Sequence, residues 1–213
     1  FPFPYNNFDY LLRLIKKKNI GIIKMEVMRN MEPQKGYLQK IRNVCNKKNI
    51  ILIFDECTSG YREIMGGKHL KYKINPDLAM FGKALGSGYA INAIIGKKKL
   101  MKKAKKTFIS STFWGERIGY TAALSSIDEF KRLNVFKQVE KNGKFIKKLW
   151  NDLSKKYNLP IRIMGSNAIP SFEFYDNHQK RKSFLTQEML KNKILATNLI
   201  YITIFHNKNN IKK

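Results

Sequence analysis

Acidic residues are scarce in this chain. Asp+Glu number 15 against 42 Lys+Arg in 213 residues, a formal net charge of +27. Cysteine is scarcer still. Cys45 and Cys57 have neither repeat nor metal-type spacing, and so few thiols predict a reducing compartment and a cytoplasmic location. No apolar run approaches the roughly 18 residues of a membrane span, and no charged-then-apolar leader precedes a small-residue cleavage site, so no membrane is expected as a partner. The histidines, His69, His178 and His206, are scattered without ligand spacing. They predict surface positions and no metal site. The chain opens Phe1-Pro2-Phe3-Pro4, without a methionine, which reads as a fragment or a processed product. Its length suits one large domain or one and a half, enough to bury a sizeable core.

What is abundant is lysine. A charge of +27 raises the possibility of a nucleic-acid or anionic-membrane partner. Against it, lysine, asparagine and isoleucine are plentiful everywhere, as compositional drift would produce. Runs such as Lys16-Lys17-Lys18, Lys97-Lys98-Lys99 and Lys105-Lys106 read as solvated helix faces or ends. Arginine, preferred for reading bases, is scarce, and the basic-aromatic signature of an RNA-binding sheet is missing. The balance favours drift, and nucleic acid is not the expected partner.

Periodicity orders the chain. Phe8, Leu11, Leu12 and Ile15 mark a helix over 8–18, and Gly21 to Glu26 reads as a strand ending in an acid. Tyr37 to Lys48 shows a helical face of Leu38, Ile41, Val44 and Cys45. Ile50-Ile51-Leu52-Ile53-Phe54 then forms an unbroken, mostly β-branched run ending in Asp55-Glu56, the signature of a strand buried on both faces. The order helix, strand, helix, strand predicts crossover units and a parallel sheet. Residues 57–77 are turn-rich, and a long irregular connection in a compact domain is often functional. Leu78 to Phe81 is a second short strand, delivering Gly82-Lys83. Ile91 to Ile95 is another apolar strand, Lys97 to Lys106 a basic helix, and Ile118 to Phe130 a helix. Composition shifts near Lys131. A helix is predicted from Asn134 to Tyr157, with Trp150 in its core. Short strands follow at Ile161–Met164 and Ser171–Tyr175, then a helix at Ser183–Lys193 and a strand near Leu199–Phe205.

Two acids at one strand's carboxyl end and a lysine after the next lie where open α/β sheets bind ligands. An apolar strand followed by Asp-Glu also describes the magnesium strand of P-loop ATPases, but that fold needs G-x-x-x-x-G-K-[ST]. Here Ala84 follows Lys83, and Asp77 stands where the first glycine should be. Lysine and aspartate suit another chemistry. The amine can form a Schiff base with an aldehyde cofactor such as pyridoxal phosphate, and the carboxylate can keep that cofactor's ring nitrogen protonated. The plain alternative makes Asp55 a turn cap and Lys83 a surface lysine. On spacing alone the two stand level.

Two long motifs go further. Asp55-Glu56-Cys57-Thr58-Ser59-Gly60-Tyr61-Arg62, then Pro76-Asp77-Leu78-Ala79-Met80-Phe81-Gly82-Lys83-Ala84-Leu85-Gly86-Ser87-Gly88-Tyr89, resemble the class III pyridoxal-phosphate aminotransferases, most nearly the glutamate-1-semialdehyde 2,1-aminomutase-like branch. Ser110-Ser111-Thr112-Phe113-Trp114-Gly115-Glu116-Arg117-Ile118-Gly119 is similar to a later loop of that family. The likeness is firm over about residues 20–130 and thinner to about 205.

The resemblance implies a fold-type I α/β architecture. It places the later part of the large cofactor domain at 1–130, mostly a parallel sheet with flanking helices. A small α+β C-terminal domain follows at 131–206, with a disordered tail at 207–213. It implies that Lys83 is the Schiff-base lysine and proton carrier, and that Asp55 is the acid at the ring nitrogen. Cys57 falls where the family usually packs an apolar residue on the ring. Thr112 matches the hydroxyl that binds cofactor phosphate, typically of the neighbouring subunit, which implies a homodimer. Glu26 is read as structural or network-forming, and Gly86 and Gly88 as permitting a tight loop. Ser59 and Arg62 are read as loop-positioning, and Phe113 and Trp114 as pocket-lining or core.

The departures also matter. Family members are roughly twice as long, so the main phosphate loop and the ring-stacking aromatic would lie outside this sequence, as would much of the substrate pocket. This predicts poor cofactor retention by the chain alone. The implied reaction is amino-group transfer on an amino acid, amino sugar or aldehyde. The alternatives are a truncated non-catalytic homologue and one half of a split enzyme whose partner chain carries the missing half.

Overall fold

The computed structural model describes residues 1–213 except Arg29, Ser111, Trp114 and Lys213, and for Lys212 the backbone alone. The predicted positions of Ser111 and Trp114 therefore lie outside the described residues. The chain divides into two compact units: Phe1–Met28 with Pro33–Lys131, and Arg29–Glu32 with Arg132–Lys213.

The first unit is built on a sheet of strand order β1-β2-β3-β4. Helix α1 (Phe8–Lys17) leads into β1 (Ile22–Glu26), and α2 (Tyr37–Lys48) crosses to β2 (Ile51–Asp55). The side chain of Asn7 caps α1 by accepting from the Tyr10 amide at 3.0 Å, as short polar residues do at helix starts. Asn49, in the left-handed conformation at φ 54°, ends α2. β1 and β2 pair in parallel with Glu26 beside Asp55, and β2 pairs in parallel with β3 (Leu78–Phe81), Asp55 beside Met80. Glu26, Asp55 and the residues just after Phe81 thus reach one rim.

The apolar faces predicted for α2 and β2 form the main core. Ile41, Cys45, Leu52 and Phe54 are each at most 1 % exposed there, packed with Leu11, Ile23 and Met25. Burying each large aliphatic or aromatic side chain contributes about 1.5–3 kcal/mol. Asp77 ties the sheet together at the start of β3. Its Oδ2 accepts the buried Leu52 amide at 2.7 Å and Arg42 at 2.9 Å, while Oδ1 meets Lys97 at 2.6 Å.

β4 (Ala93–Gly96) departs from the parallel pattern: it runs antiparallel to β3. The connection over residues 82–92 contains only a single 3-10 turn, Lys83–Gly86, too little chain for a helical crossover, so the strand returns directly. Its apolar sequence is also not buried, with Ile94 51 % and Ile95 57 % exposed. Helix α3 (Lys98–Ala104) has no buried residue and is a solvated basic helix, whereas α4 (Arg117–Arg132) buries Ala123 against Ala79, Phe81 and Leu85.

In the second unit α5 (Val135–Lys156) packs Val139 and Ile146 with Ala168, Ile169 and Ile202. β5 (Ile161–Gly165) and β6 (Pro170–Phe174) form an antiparallel pair. Trp150 stacks edge-on against Phe172, ring centroids 4.9 Å apart. Helix α6 (His178–Lys191) begins five residues before the predicted Ser183, because its first turn is polar and shows no apolar period. The strand predicted near Leu199–Phe205 reduces to one isolated bridge, Leu199 to Ser171. Within the predicted tail lies a short helix, α7 (Lys208–Lys212), whose Ile211 packs on the apolar cluster of this unit. Among the described residues no helix is long and apolar enough to cross a membrane.

Candidate active site

The site forms where β1, β2 and β3 end. Parallel pairing puts Asp55 opposite Met80, and the Glu56 amide donates to the Met80 carbonyl at 2.8 Å. Lys83 therefore follows three residues beyond Asp55's partner, on the same rim. Its backbone sits at φ +46°, the left-handed region, which costs a non-glycine residue about 1 kcal/mol or more. Gly82 before it has no room for a side chain. A Cβ there would lie 2.3 Å from Asn92 Oδ1 and 3.7 Å from Cys57 Sγ, so the lysine loop lies directly against the segment after β2.

Lys83 is exposed as a residue, and its Nζ donates to the hydroxyl of buried Thr58 at 2.9 Å. Thr58 is held in turn by Arg62, whose Nε donates to the Thr58 carbonyl at 2.7 Å. Asp55 uses both oxygens. Oδ1 accepts the Cys57 amide at 3.1 Å, and Oδ2 pairs with Lys24 Nζ at 3.1 Å. Burial pushes the Asp55 carboxyl up, but the Cys57 amide and the Lys24 ammonium outweigh it and hold the acid below its ordinary range. Burial and the neighbouring Asp55 carboxylate push the Cys57 thiol up, against the pull of Lys83 and Lys24. The structure thus brings together Asp55, Cys57 and Lys83. Thr112, by contrast, is exposed in the turn preceding α4 and makes no hydrogen bond to those three among the described residues. Phe113 is 72 % exposed and belongs to no core cluster.

The acid after Asp55 has a different task. Glu56 is 0 % exposed. Its Oε1 accepts the His69 amide at 2.8 Å and lies 2.9 Å from His69 Nδ1, and its Oε2 accepts the Ser59 hydroxyl. Burial raises its carboxyl, yet the hydrogen bonds from His69, Ser59 and the Lys68 backbone hold it below its ordinary value. An ionised carboxylate only accepts, so His69 Nδ1 carries a proton. His69 is 7 % exposed, which corrects its predicted surface position. The approach depends on Gly67, where a Cβ would stand 2.3 Å from His69 Nδ1. Farther along the same connection Glu63 pairs with Lys68 at 2.9 Å and with Lys71 at 2.8 Å. The turn-rich stretch is therefore a clamped structure.

The sequence reading missed Lys24, Thr58 and the Glu56–His69 pair. Lys24 carried one usable signal: it is a charge inside an apolar strand, two residues before Glu26 and so on the same face. The donor set fits pyridoxal phosphate on its chemistry. It offers an exposed primary amine, an ionised carboxylate at the strand end, and a glycine that brings the two segments into contact. Among the described residues no group of three or more His, Cys, Asp or Glu could hold a metal ion.

Comparison with known proteins agrees with this chemistry. Residues 29–204 match the model of the family described as aminotransferase class-III. The 3-aminobutyryl-CoA aminotransferase of Cloacimonas acidaminovorans is 32 % identical over 183 residues, covering 82 % of this chain and 44 % of that protein. A glutamate-1-semialdehyde 2,1-aminomutase of Methanococcus maripaludis is 32 % identical over 186 residues, covering 83 % and 43 %. The fold matches the FumI protein of Sphingopyxis sp. MTA144 with a TM-score of 0.91 at 19 % identity, covering 99 % of this chain and 53 % of that one. It also matches an ornithine aminotransferase of Plasmodium yoelii with a TM-score of 0.82 at 20 % identity, covering 99 % and 59 %. The chain spans less than half the length of the two curated relatives it matches here.

Proposed function

This chain belongs to the class-III aminotransferase family, and from that premise we propose that it carries the lysine and the ring-nitrogen acid of a pyridoxal-phosphate site for amino-group transfer. The reaction is that of an aminotransferase, or of an aminomutase of the glutamate-1-semialdehyde type, on an amino acid, amino sugar or aldehyde. One observation carries the reading above all: parallel register sets an ionised Asp55 and the amine of Lys83 on one sheet rim, with Cys57 between them.

Pyridoxal phosphate supplies an aldehyde carbon that receives the amino group and a ring that accepts the electron pair left when a proton departs. The chain's own residues do the rest. Lys83 would hold the cofactor through Nζ, and the same amine, when free, would take and return the proton. Thr58 offers its hydroxyl as a resting partner for the freed amine. Asp55 holds a proton on the ring nitrogen, an ion pair that favours the charged form of both partners. Cys57 would pack beside the ring, and Thr112 would reach cofactor phosphate in a neighbouring copy, so that the working unit would be a homodimer. The Glu56–His69 clamp keeps the connection after Asp55 in place.

To test this, the chain is loaded with pyridoxal phosphate, given a panel of amino acids and amino sugars, and assayed for pyridoxamine phosphate by chromatography. Formation with the wild type and not with Lys83→Ala supports the reading. No product with either protein contradicts it for this chain alone.

A second reading has its own support. The chain spans 43–44 % of those two relatives, and Ile94 and Ile95 lie exposed on an edge strand. Both fit one half of a split enzyme, completed by a partner chain that brings the remaining phosphate-binding elements, or a truncated homologue without activity. Product formed only on mixing with such a partner selects the split enzyme.

A further inference from the structure

Lys24 has no place in the roles assigned so far, yet it contacts the acid on which they depend. It stands on β1 opposite Ile53, two residues before Glu26, whose register partner is Asp55. From there its Nζ reaches along the sheet face to Asp55 Oδ2 at 3.1 Å. The other oxygen, Oδ1, is occupied by the Cys57 amide. Oδ2 is thus the oxygen left to accept from an incoming ring nitrogen, and it already holds a cation. A carboxylate oxygen has two lone pairs, so it can take both donors at once. The groups around Asp55 that carry or exchange charge are Lys24 and Glu26 from β1, Cys57 from its own segment, and Lys83 from the loop after β3.

We propose that Lys24 is a positioning residue that acts through Asp55, sharing its Oδ2 with the ring nitrogen and narrowing the pH range over which that nitrogen stays protonated. The inference rests on the amino-group-transfer reading. Two cations on one carboxylate repel each other. At about 6 Å in an environment between surface and bulk water, that repulsion shifts a protonation equilibrium by roughly threefold to a hundredfold. Half of the Lys24 side chain, 52 %, is exposed, and solvent screening puts the effect in the lower part of that range. Lys24 thereby makes the ring a weaker electron sink at alkaline pH than Asp55 alone would, while keeping Asp55 ionised at acid pH.

Two measurements on the full chain test this in the wild type, Lys24→Met and Lys24→Arg. The first needs no cofactor: the Asp55 carboxyl is titrated by carbon NMR. Its midpoint rises in Lys24→Met and is restored in Lys24→Arg. In the second, proteins saturated with ring-nitrogen-labelled pyridoxal phosphate are titrated by nitrogen NMR. The ring deprotonates roughly threefold to tenfold less readily in Lys24→Met, a midpoint higher by about half to one pH unit, and as in the wild type in Lys24→Arg. An Asp55 midpoint that does not move, or a ring midpoint that stays put or falls in Lys24→Met, overturns the role of Lys24 and leaves the amino-group-transfer reading standing. Cofactor uptake that is unaffected by Lys83→Ala in every variant overturns that reading and this inference together.

Discussion

Glu56 offers a direct test of how the site is held. It is wholly buried, and two of its partners are backbone amides, those of His69 and Lys68. Backbone amides cannot turn to new partners, whereas the Ser59 hydroxyl can rotate. In Glu56→Leu both amides lose their acceptor, at about 1–3 kcal/mol each. The leucine recovers part of that by burying apolar surface, worth about 1.5–3 kcal/mol. The net loss is about 2–3 kcal/mol, a large share of a typical total of roughly 5–15 kcal/mol. In Glu56→Gln the amide oxygen takes the place of Oε1 and still accepts the His69 amide, while the amide nitrogen takes the place of Oε2 and faces the Ser59 hydroxyl, which can accept. Only the extra strength of bonds to a charge is lost, about 1 kcal/mol. Urea denaturation reads the difference. With a slope of roughly 2–3 kcal/mol per molar, the Leu variant's midpoint falls by about 1 M and the Gln variant's by less than half of that. Alkylation of Cys57, which begins the clamped connection, also quickens in Glu56→Leu. Equal losses in the two variants, or none in Glu56→Leu, would refute the claim that Glu56 works as a fixed acceptor for the chain after Asp55.

Acid should loosen the first unit from the same cause. The folded carboxyls of Glu56 and Asp77 lie below their ordinary values of 4.5 and 3.8. For Asp77, burial raises the carboxyl but the Leu52 amide, Lys97 and Arg42 together lower it. A depressed carboxyl contributes stability that is present above the unfolded value and lost as pH falls through the folded one. Stability is therefore flat near neutrality and falls below about pH 4, and Asp77→Asn shows a shallower fall in an acid titration followed by circular dichroism. In the second unit, Gly143→Ala reverses the usual helix preference. A Cβ at this position in α5 would come 1.7 Å from the Asn167 carbonyl oxygen, so the variant loses about 1–3 kcal/mol by overpacking instead of gaining the roughly 1 kcal/mol alanine brings to an open helix. Thermal unfolding gives the sign.

The parts of the fold written in apolar periodicity were legible before the structure. Tyr37–Lys48 is a helix to the residue, and the run ending at Phe54 is a strand. Only its Leu52–Phe54 face is buried, where the sequence predicts burial on both faces; Ile51 and Ile53 are half-buried. The adjacency of Asp55 and Lys83 followed from where two strands end. What stayed hidden depends on distant approach. His69 gives no local sign of burial, because its environment is made by Glu56, thirteen residues away, across a gap that only a glycine at 67 leaves open. The segment Ile91–Ile95 reads as an apolar strand, yet half of Ile94 and Ile95 is exposed, since apolar sequence reports preference and not the presence of a covering layer. Residues 199–205 are β-like in composition and run along the edge of β6, with the Ile200 amide donating to the Pro170 carbonyl at 3.1 Å and the Ile202 amide to the Ala168 carbonyl at 3.0 Å. Yet the pairing amounts to a bridge at Leu199–Ser171 and not to a strand. Lys24 was overlooked because a lone lysine in a chain of charge +27 does not stand out until its partner is located.

The central claim is that Lys83 is the cofactor-anchoring amine. The measurement that tests it most directly is covalent trapping. The purified chain is mixed with pyridoxal phosphate and reduced with borohydride, and the modified lysine is mapped by mass spectrometry, with Lys83→Ala as control. Labelling concentrated on Lys83, and lost in the variant, is the predicted result. Labelling scattered over surface lysines and unchanged by Lys83→Ala would contradict the account.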